Sequence, residues 1–318
     1  MHKVFIDGQA GTTGLLIQAR LDQREDIELV TINNVERKDE GIKQEIIKSS
    51  DIVILCLPDD AAKRSVELAQ DAPVKFIDAS TAHRVDPTWD FGLPELVENQ
   101  RDKIQNSTRV SNPGCWSTAF LLAVRPLIDA ELVSATSDLT AHGVSGYSGG
   151  GRVMIEDYEE RAKTHPENLW YSRPYSLQLK HKHLPEMQLH ARLANKPMFM
   201  PSVGHFHQGM LVNIPITGQA MTRIKSLEQV HLALQERYKN ERCVKVHPPN
   251  TDDSLEKGFL DPQGNNHTNR IDLFVFGNND QVLLVARLDN LGKGASGAAV
   301  QNLNLMLGVE ELAGLSLS

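Results

Sequence analysis

Short apolar runs alternate with amphipathic stretches through the first third of the chain. Val4-Phe5-Ile6, Ile27 to Ile32, Ile52 to Leu57 and Val74 to Ile77 read as strands, and Leu15 to Leu21, Ile42 to Ile47 and Ala61 to Ala69 read as the helices between them. Near-continuous apolar strands separated by helices are what a parallel sheet covered on both faces requires. The pattern therefore predicts a doubly wound α/β domain ending near Cys115.

Beyond residue 130 the pattern changes. Ser137 to His142 and Met210 to Ile216 read as strands, and Ile271 to Phe276, a Gly277-Asn278-Asn279-Asp280 turn and Gln281 to Arg287 read as a hairpin. These segments predict an α+β domain with a mixed or antiparallel sheet. The final periodic segment, Ala295 to Leu307, reads as a helix that returns to the first domain. The expected division is 1–115 completed by 295–318, and 116–294.

Composition narrows the function classes. A length of 318 residues suits two domains, and 33 Lys and Arg against 41 Asp and Glu give a net charge of −8. No broad attraction for nucleic acid or an anionic membrane follows from that balance, so neither is an expected partner. The opening Met1 to Gly8 turns polar too early for a secretion signal, and no apolar run approaches the about 20 residues of a membrane span. Three cysteines, at 56, 115 and 243, make neither a disulfide framework nor a zinc knuckle. The expected location is the cytoplasm.

Candidate chemistry lies at two turns. Directly after the first strand comes Gly8-Gln9-Ala10-Gly11-Thr12-Thr13-Gly14, then a helix. Glycines permit a tight turn and close backbone approach, and a helix N-terminus offers N–H donors to a pyrophosphate. In that position the loop predicts a Rossmann-type dinucleotide site at Gly8, Gly11, Thr12, Thr13 and Gly14. The second strand ends at Asn33 without the acidic residue that would receive a ribose 2′-hydroxyl, and Arg37 and Lys38 follow. A 2′-phosphate suits these bases, which favours NADP over NAD.

The second turn is Ser111-Asn112-Pro113-Gly114-Cys115, followed by an apolar helix. A thiol at a helix N-terminus faces unpaired N–H groups and the positive end of the dipole, which favour the reactive thiolate. Partners for proton transfer stand in His181-Lys182-His183-Leu184-Pro185-Glu186. A second histidine pair, His205-Phe206-His207, lacks ligands at the spacing of a zinc motif, so no metal is expected. Gly143 to Arg152 is a further glycine cluster, suited to close backbone approach or to a phosphate nest. Cys56 reads as core and Cys243 as chemically silent.

Taken together, these motifs resemble those of the N-acetyl-γ-glutamyl-phosphate reductases, in their shorter form, within the group that includes aspartate-semialdehyde dehydrogenases. The resemblance runs through the phosphate loop, Ser111 to Cys115, Gly143 to Gly146, His181 to Glu186, and Asp289 to Gly297, in order along nearly the whole chain. It implies NADPH-dependent reduction of an acyl phosphate in arginine biosynthesis, with Cys115 forming a thioester, His183 as base and His181 as proton donor. It further implies cofactor contacts at Pro58, Ser80 and Asn290, substrate contacts at Asn112, Arg84, Ser145 and Arg152, and a homo-oligomer, dimer or tetramer. An aspartate-semialdehyde dehydrogenase is the alternative enzyme, and a catalytically silent NADP-binding regulator is the alternative of another class.

Overall fold

The computed structural model describes residues 1–33, 36, 39–69 and 72–318. The chain divides into two units, Met1–Gly114 with Ala295–Ser316, and Cys115–Gly294 with Leu317–Ser318.

In the first unit β1 (His2–Asp7), α1 (Thr12–Leu21), β2 (Ile27–Val30), α2 (Glu40–Ser49), β3 (Ile52–Leu55), α3 (Asp59–Leu68), β4 (Lys75–Asp78), β5 (Asp90–Phe91), α4 (Gln100–Asn106) and β6 (Arg109–Ser111) follow one another. The strands form one parallel sheet in the order β2-β1-β3-β4-β6-β5. Alternate side chains go to opposite faces and both faces are dry. Val4, Ile6, Ile52, Ile54 and Ile77 enter one core with Ile17 and Leu21, while Phe5, Val53, Leu55 and Phe76 enter the other with Ala62 and Val66. This two-sided burial explains why the strands carry no polar alternation.

The helix Gly297–Leu307 closes the first of these cores with Ala299, Val300, Leu303 and Met306. It is buried all round, so its amides need partners. Asn302 donates to Gly92 O (2.9 Å) and to Asn112 Oδ1 (3.0 Å), Gln301 to Glu95 (2.8 Å), and Asn304 to Glu311 O (2.9 Å) and Ala313 O (3.0 Å). The expected start at Ala295 is shifted, because Gly292–Ser296 forms a wider π-helical turn first.

The second unit contains α5 (Cys115–Asp129), β7 (Thr140–Gly146), α6 (Gly151–Thr164), β8 (Ser172–Pro174), α7 (Leu184–His190), β9 (Met198–Gly204), β10 (Met210–Ile216), α8 (Leu227–Tyr238), β11 (Val244–Val246), β12 (Leu255–Glu256), β13 (Phe259–Leu260), β14 (Ile271–Gly277) and β15 (Val282–Leu288). Seven strands make a mixed sheet, β11-β14-β15-β10-β7-β9-β8, in which β7–β9 and β11–β14 run parallel and the other pairs antiparallel. The expected hairpin is β14–β15. The strand expected over Ser137–His142 is displaced to Thr140–Gly146, because Ser137 lies in a turn with its N–H on Ser134 O (2.9 Å).

Helix α5 carries a proline in its interior, Pro126, which has no N–H to give to Leu122 O four residues back. Tyr238, at the end of α8, donates its hydroxyl to that carbonyl at 2.7 Å in a buried setting. Tyr238→Phe would leave the carbonyl dry and unpaired, so it is expected to lower unfolding free energy by about 1–3 kcal/mol in urea melts. An unchanged midpoint would show that the bond contributes nothing.

Candidate active site

In the first unit the chain turns from Asp7 straight through Gly8 to Gly11 into α1. Gly8 has a φ of 96°, and a Cβ there would lie 2.3 Å from Cys56 O, so only glycine fits beside the end of β3. Gly11 caps α1 without a side-chain acceptor, and no acidic residue occupies the first turn. Asp7, buried at the foot of the loop, is matched by Lys43 at 3.1 Å and by the Ser65 hydroxyl at 2.7 Å, which offsets a charge that would repel an anion. Strands β2 and β3 flank β1, so the loop stands where the strand order reverses, the place where doubly wound sheets take ligands. Gly8, Gly11, Thr12, Thr13 and Gly14 thus form a cradle that fits a pyrophosphate.

Pro58 and Ser80 follow the neighbouring strands β3 and β4 on that same edge. Ser80 is drawn inward, its hydroxyl on Asp78 Oδ2 at 2.8 Å, an oxygen shared with His83 Nδ1 at 2.6 Å. Asn33 bonds Glu36, donating to Oε2 at 2.5 Å and accepting from its N–H at 2.9 Å. Arg37 and Lys38 lie outside the described residues.

Arg84 and Asn112 are both buried and bonded to the chain around them. Arg84 is buried and donates from Nε to Asn112 O (2.9 Å) and from Nη2 to Ala79 O (3.1 Å). Asn112 donates to Ala295 O (3.1 Å) and accepts from Asn302 (3.0 Å). Both brace the turn that leads directly into Cys115.

In the second unit Cys115 is the first residue of the 15-residue helix α5, which has no acidic residue in its first turn. The thiol is half-buried, and a Cβ on Gly294 would come within 2.6 Å of Cys115 Cβ, so a side chain there would displace the cysteine. Cys56 differs. It follows β3 rather than lying within it, and burial, with the nearby Asp78 and Asp7 charges, pushes its thiol up to about 12. Cys243 is buried beside Asn269 Nδ2 at 3.6 Å.

The imidazole pair is buried and packed at right angles, with His181 and His183 ring centroids 4.7 Å apart. His183 caps the start of α7, and its Nε2 lies 3.9 Å from the buried Glu186 carboxylate. Arg125, from the far end of α5, donates to His190 O at 2.6 Å and so ties the end of α7 to the helix that begins with the thiol. His181 accepts the His183 backbone N–H on Nδ1 at 3.1 Å, while its Nε2 lies 3.3 Å from Tyr175 Oη. Trp116 donates to the same phenolic oxygen at 3.0 Å. Phe199 packs edge-on against both Trp116 and His181, at 5.3 and 5.1 Å between centroids.

Ser145 is buried in β7, and its hydroxyl is 3.5 Å from where a Gly149 Cβ would be. Asn290 accepts from Gly209 N at 2.7 Å and donates to Ser148 Oγ at 3.1 Å, while Asp289 takes Gln208, His267 N and Leu291 N. Arg152 stands in solvent on α6, paired with Glu156 at 3.2 Å. Trp116 and Tyr175 are not among the residues singled out from the sequence, and Glu186 stands there only as the end of the His181–Glu186 run. Trp116 adjoins Cys115, whereas Tyr175 lies in a stretch without periodic pattern. Among the described residues no group of three or more His, Cys, Asp or Glu side chains forms a metal-holding cluster, and no helix is long and apolar enough to cross a membrane.

Comparisons with known proteins agree with this anatomy. Residues 3–106 match the model of the semialdehyde dehydrogenase NAD binding domain, and residues 115–290 that of the semialdehyde dehydrogenase dimerisation domain. An N-acetyl-gamma-glutamyl-phosphate reductase 2 of Nostoc sp. is 49% identical over 98% of this chain and 99% of its own length. The N-acetyl-gamma-glutamyl-phosphate reductase of Brucella ovis is 46% identical over 96% of this chain and 99% of its own. In fold the chain is similar to aspartate semialdehyde dehydrogenase II of Vibrio cholerae, with a TM-score of 0.74 at 17% identity over 97% of this chain and 98% of that one. An NADP complex of the Candida albicans aspartate semialdehyde dehydrogenase gives 0.69 at 13% identity over 97% and 99%. The chain belongs to the semialdehyde dehydrogenase family and, within it, to the N-acetyl-gamma-glutamyl-phosphate reductases.

Proposed function

We propose that this enzyme reduces N-acetyl-γ-glutamyl phosphate with NADPH, giving N-acetyl-L-glutamate 5-semialdehyde and phosphate, a step of arginine biosynthesis in the cytoplasm. The observation that carries this reading is Cys115 opening α5 in the same unit as the buried His181–His183 pair, in a chain 49% identical to a reductase of that name. In this reading the first unit holds the dinucleotide at Gly8, Gly11, Thr12, Thr13 and Gly14, with Asn33 towards the ribose, and the bases Arg37 and Lys38, which follow in sequence, suit a 2′-phosphate. Position 33 carries an amide rather than the acidic residue that receives a ribose 2′-hydroxyl, and this supports NADP over NAD. In the first unit Pro58 and Ser80 are the further cofactor contacts, and Arg84 and Asn112 brace the turn that ends at Gly114; in the second, Asn290 is the cofactor contact that the resemblance implies and Ser145 the substrate contact. The second unit also supports a homo-oligomer, because β9 leaves Met198 and Met200 exposed in a region matching a dimerisation domain.

The chemistry follows from the thiol. The Cys115 sulfur adds to the acyl carbon, the C–O bond to phosphate breaks, and inorganic phosphate leaves, so a thioester replaces a mixed anhydride. When bound, NADPH supplies the hydride that this carbonyl carbon needs. His183 takes the thiol proton before attack and gives a proton to the leaving group or to the carbonyl oxygen as charge builds there. Collapse of the thiohemiacetal breaks the C–S bond, returns the electron pair to sulfur and frees the aldehyde.

The reverse direction is the convenient test, following NADP reduction in phosphate with N-acetyl-glutamate 5-semialdehyde or aspartate semialdehyde. The expected result is turnover with the N-acetylated substrate and at least about a hundredfold lower kcat/KM with the other, a preference of roughly 3 kcal/mol. Turnover with aspartate semialdehyde alone would overturn the substrate assignment.

A further inference from the structure

An acidic group stands at the end of β2 although position 33 is an amide. Gln9, inside the phosphate loop, donates from Nε2 to Ile32 O at 3.2 Å, which pins the chain after β2 beside the cradle. Ile32 is buried in the core, and Asn33, the next residue, is exposed. The Asn33 amide has one orientation, because its Oδ1 accepts the Glu36 backbone N–H at 2.9 Å. Its Nδ2 then donates to the Glu36 carboxylate, at 2.5 Å from Oε2. From the other side the Glu36 carbonyl accepts the Asp39 N–H at 2.8 Å, and Asp39 caps α2 through Gly41 N and Ile42 N. Glu36 is therefore anchored while its side chain stays exposed. Two cations of α2 and α3, Lys43 and Arg64, are matched by Asp7 at 3.1 Å and by Glu40 at 2.7 Å.

In a doubly wound sheet the adenosine ribose of a dinucleotide lies against the end of the second strand, where an acid receives its 2′-hydroxyl. Here the strand end supplies an amide, and that amide holds an acid from three positions further on. A carboxylate so placed accepts a bond from a 2′-hydroxyl and repels a 2′-phosphate. We propose that Glu36 is a specificity-determining residue of the dinucleotide site. Its carboxylate, positioned by Asn33, faces the 2′ substituent of the ribose and holds the preference for NADPH over NADH below what the rest of the site would give. This rests on the phosphate loop holding a dinucleotide, as the proposed function has it.

The test is the dissociation constant of NADPH and of NADH, measured by titration calorimetry, which needs no turnover. Glu36→Gln removes the charge but keeps the length and an oxygen for the Asn33 amide. It is expected to tighten NADPH binding about tenfold and to weaken NADH binding about threefold. Glu36→Asp keeps the charge and is expected to hold NADPH within about threefold of wild type. Glu40→Gln, which removes an exposed acid at the start of α2, controls for the general field and is expected to move NADPH by less than about twofold. An NADPH constant unchanged or weaker in Glu36→Gln, or a shift as large in Glu40→Gln or Glu36→Asp, would overturn the proposal. A wild-type chain that binds neither dinucleotide would instead overturn the dinucleotide site itself. Binding of both without reduction of the acyl phosphate would overturn the proposed reaction and leave the role of Glu36 standing, so the failures are distinct.

Discussion

Cys115→Ser is expected to lower kcat/KM for acyl-phosphate reduction by about four orders of magnitude or more, with dinucleotide binding unchanged. Serine keeps the size and the helix-terminal position but not the ionisation. A hydroxyl at the start of α5 remains protonated near neutrality, and any ester it formed would be a poorer hydride acceptor than a thioester. Neither remaining cysteine can stand in. Cys56 is pushed up to about 12 by burial and by the Asp78 and Asp7 charges, and Cys243 is buried next to Asn269. NADPH oxidation at saturating substrate measures the effect, and residual activity above a hundredth of wild type would contradict the assignment.

His183→Ala is expected to lower kcat by about 10²–10⁴, with a smaller effect on KM. The prediction turns on geometry that separates two adjacent imidazoles. His181 is held at both nitrogens, by the His183 backbone N–H and by Tyr175, whereas His183 caps α7 with Nε2 towards the buried Glu186 carboxylate. Removing the transferring imidazole should abolish one limb of the pH–rate profile, while His181→Ala should keep that limb. A larger loss of kcat in His181→Ala than in His183→Ala would reverse the roles.

Much of the fold is legible in the sequence because burial on two faces leaves a plain signature. Val4-Phe5-Ile6 and Ile52 to Leu55 are apolar at every position, and the structure sends alternate residues of each into different cores. The Asn112-Pro113-Gly114 turn and the apolar run after it likewise announce α5, which starts at Cys115 itself. The mixed sheet of the second unit is less visible, since parallel pairing of β7 with β9 is settled by contacts between distant segments.

Side-chain roles are harder to read, for a definite reason. A sequence shows that Arg84 is a cation and Asn112 an amide, but not that backbone carbonyls of Asn112, Ala79 and Ala295 take their donors. Arg152 carries the same charge as Arg84, yet sits in solvent beside Glu156. Tyr175 lies in a stretch with no apolar period, and its place comes only from Trp116 and His181, 59 and 6 residues away. The histidine pair is visible in the sequence, but the turn that lays the His183 N–H on the His181 ring is not.

The most direct test of the account is to mix the enzyme with N-acetyl-γ-glutamyl phosphate without NADPH, quench in acid and map the adduct by mass spectrometry. One N-acetyl-glutamyl group per chain is expected, on Cys115, released as the semialdehyde when NADPH is added before the quench. An adduct on another residue, or full turnover by an enzyme that never acylates at Cys115, would contradict it.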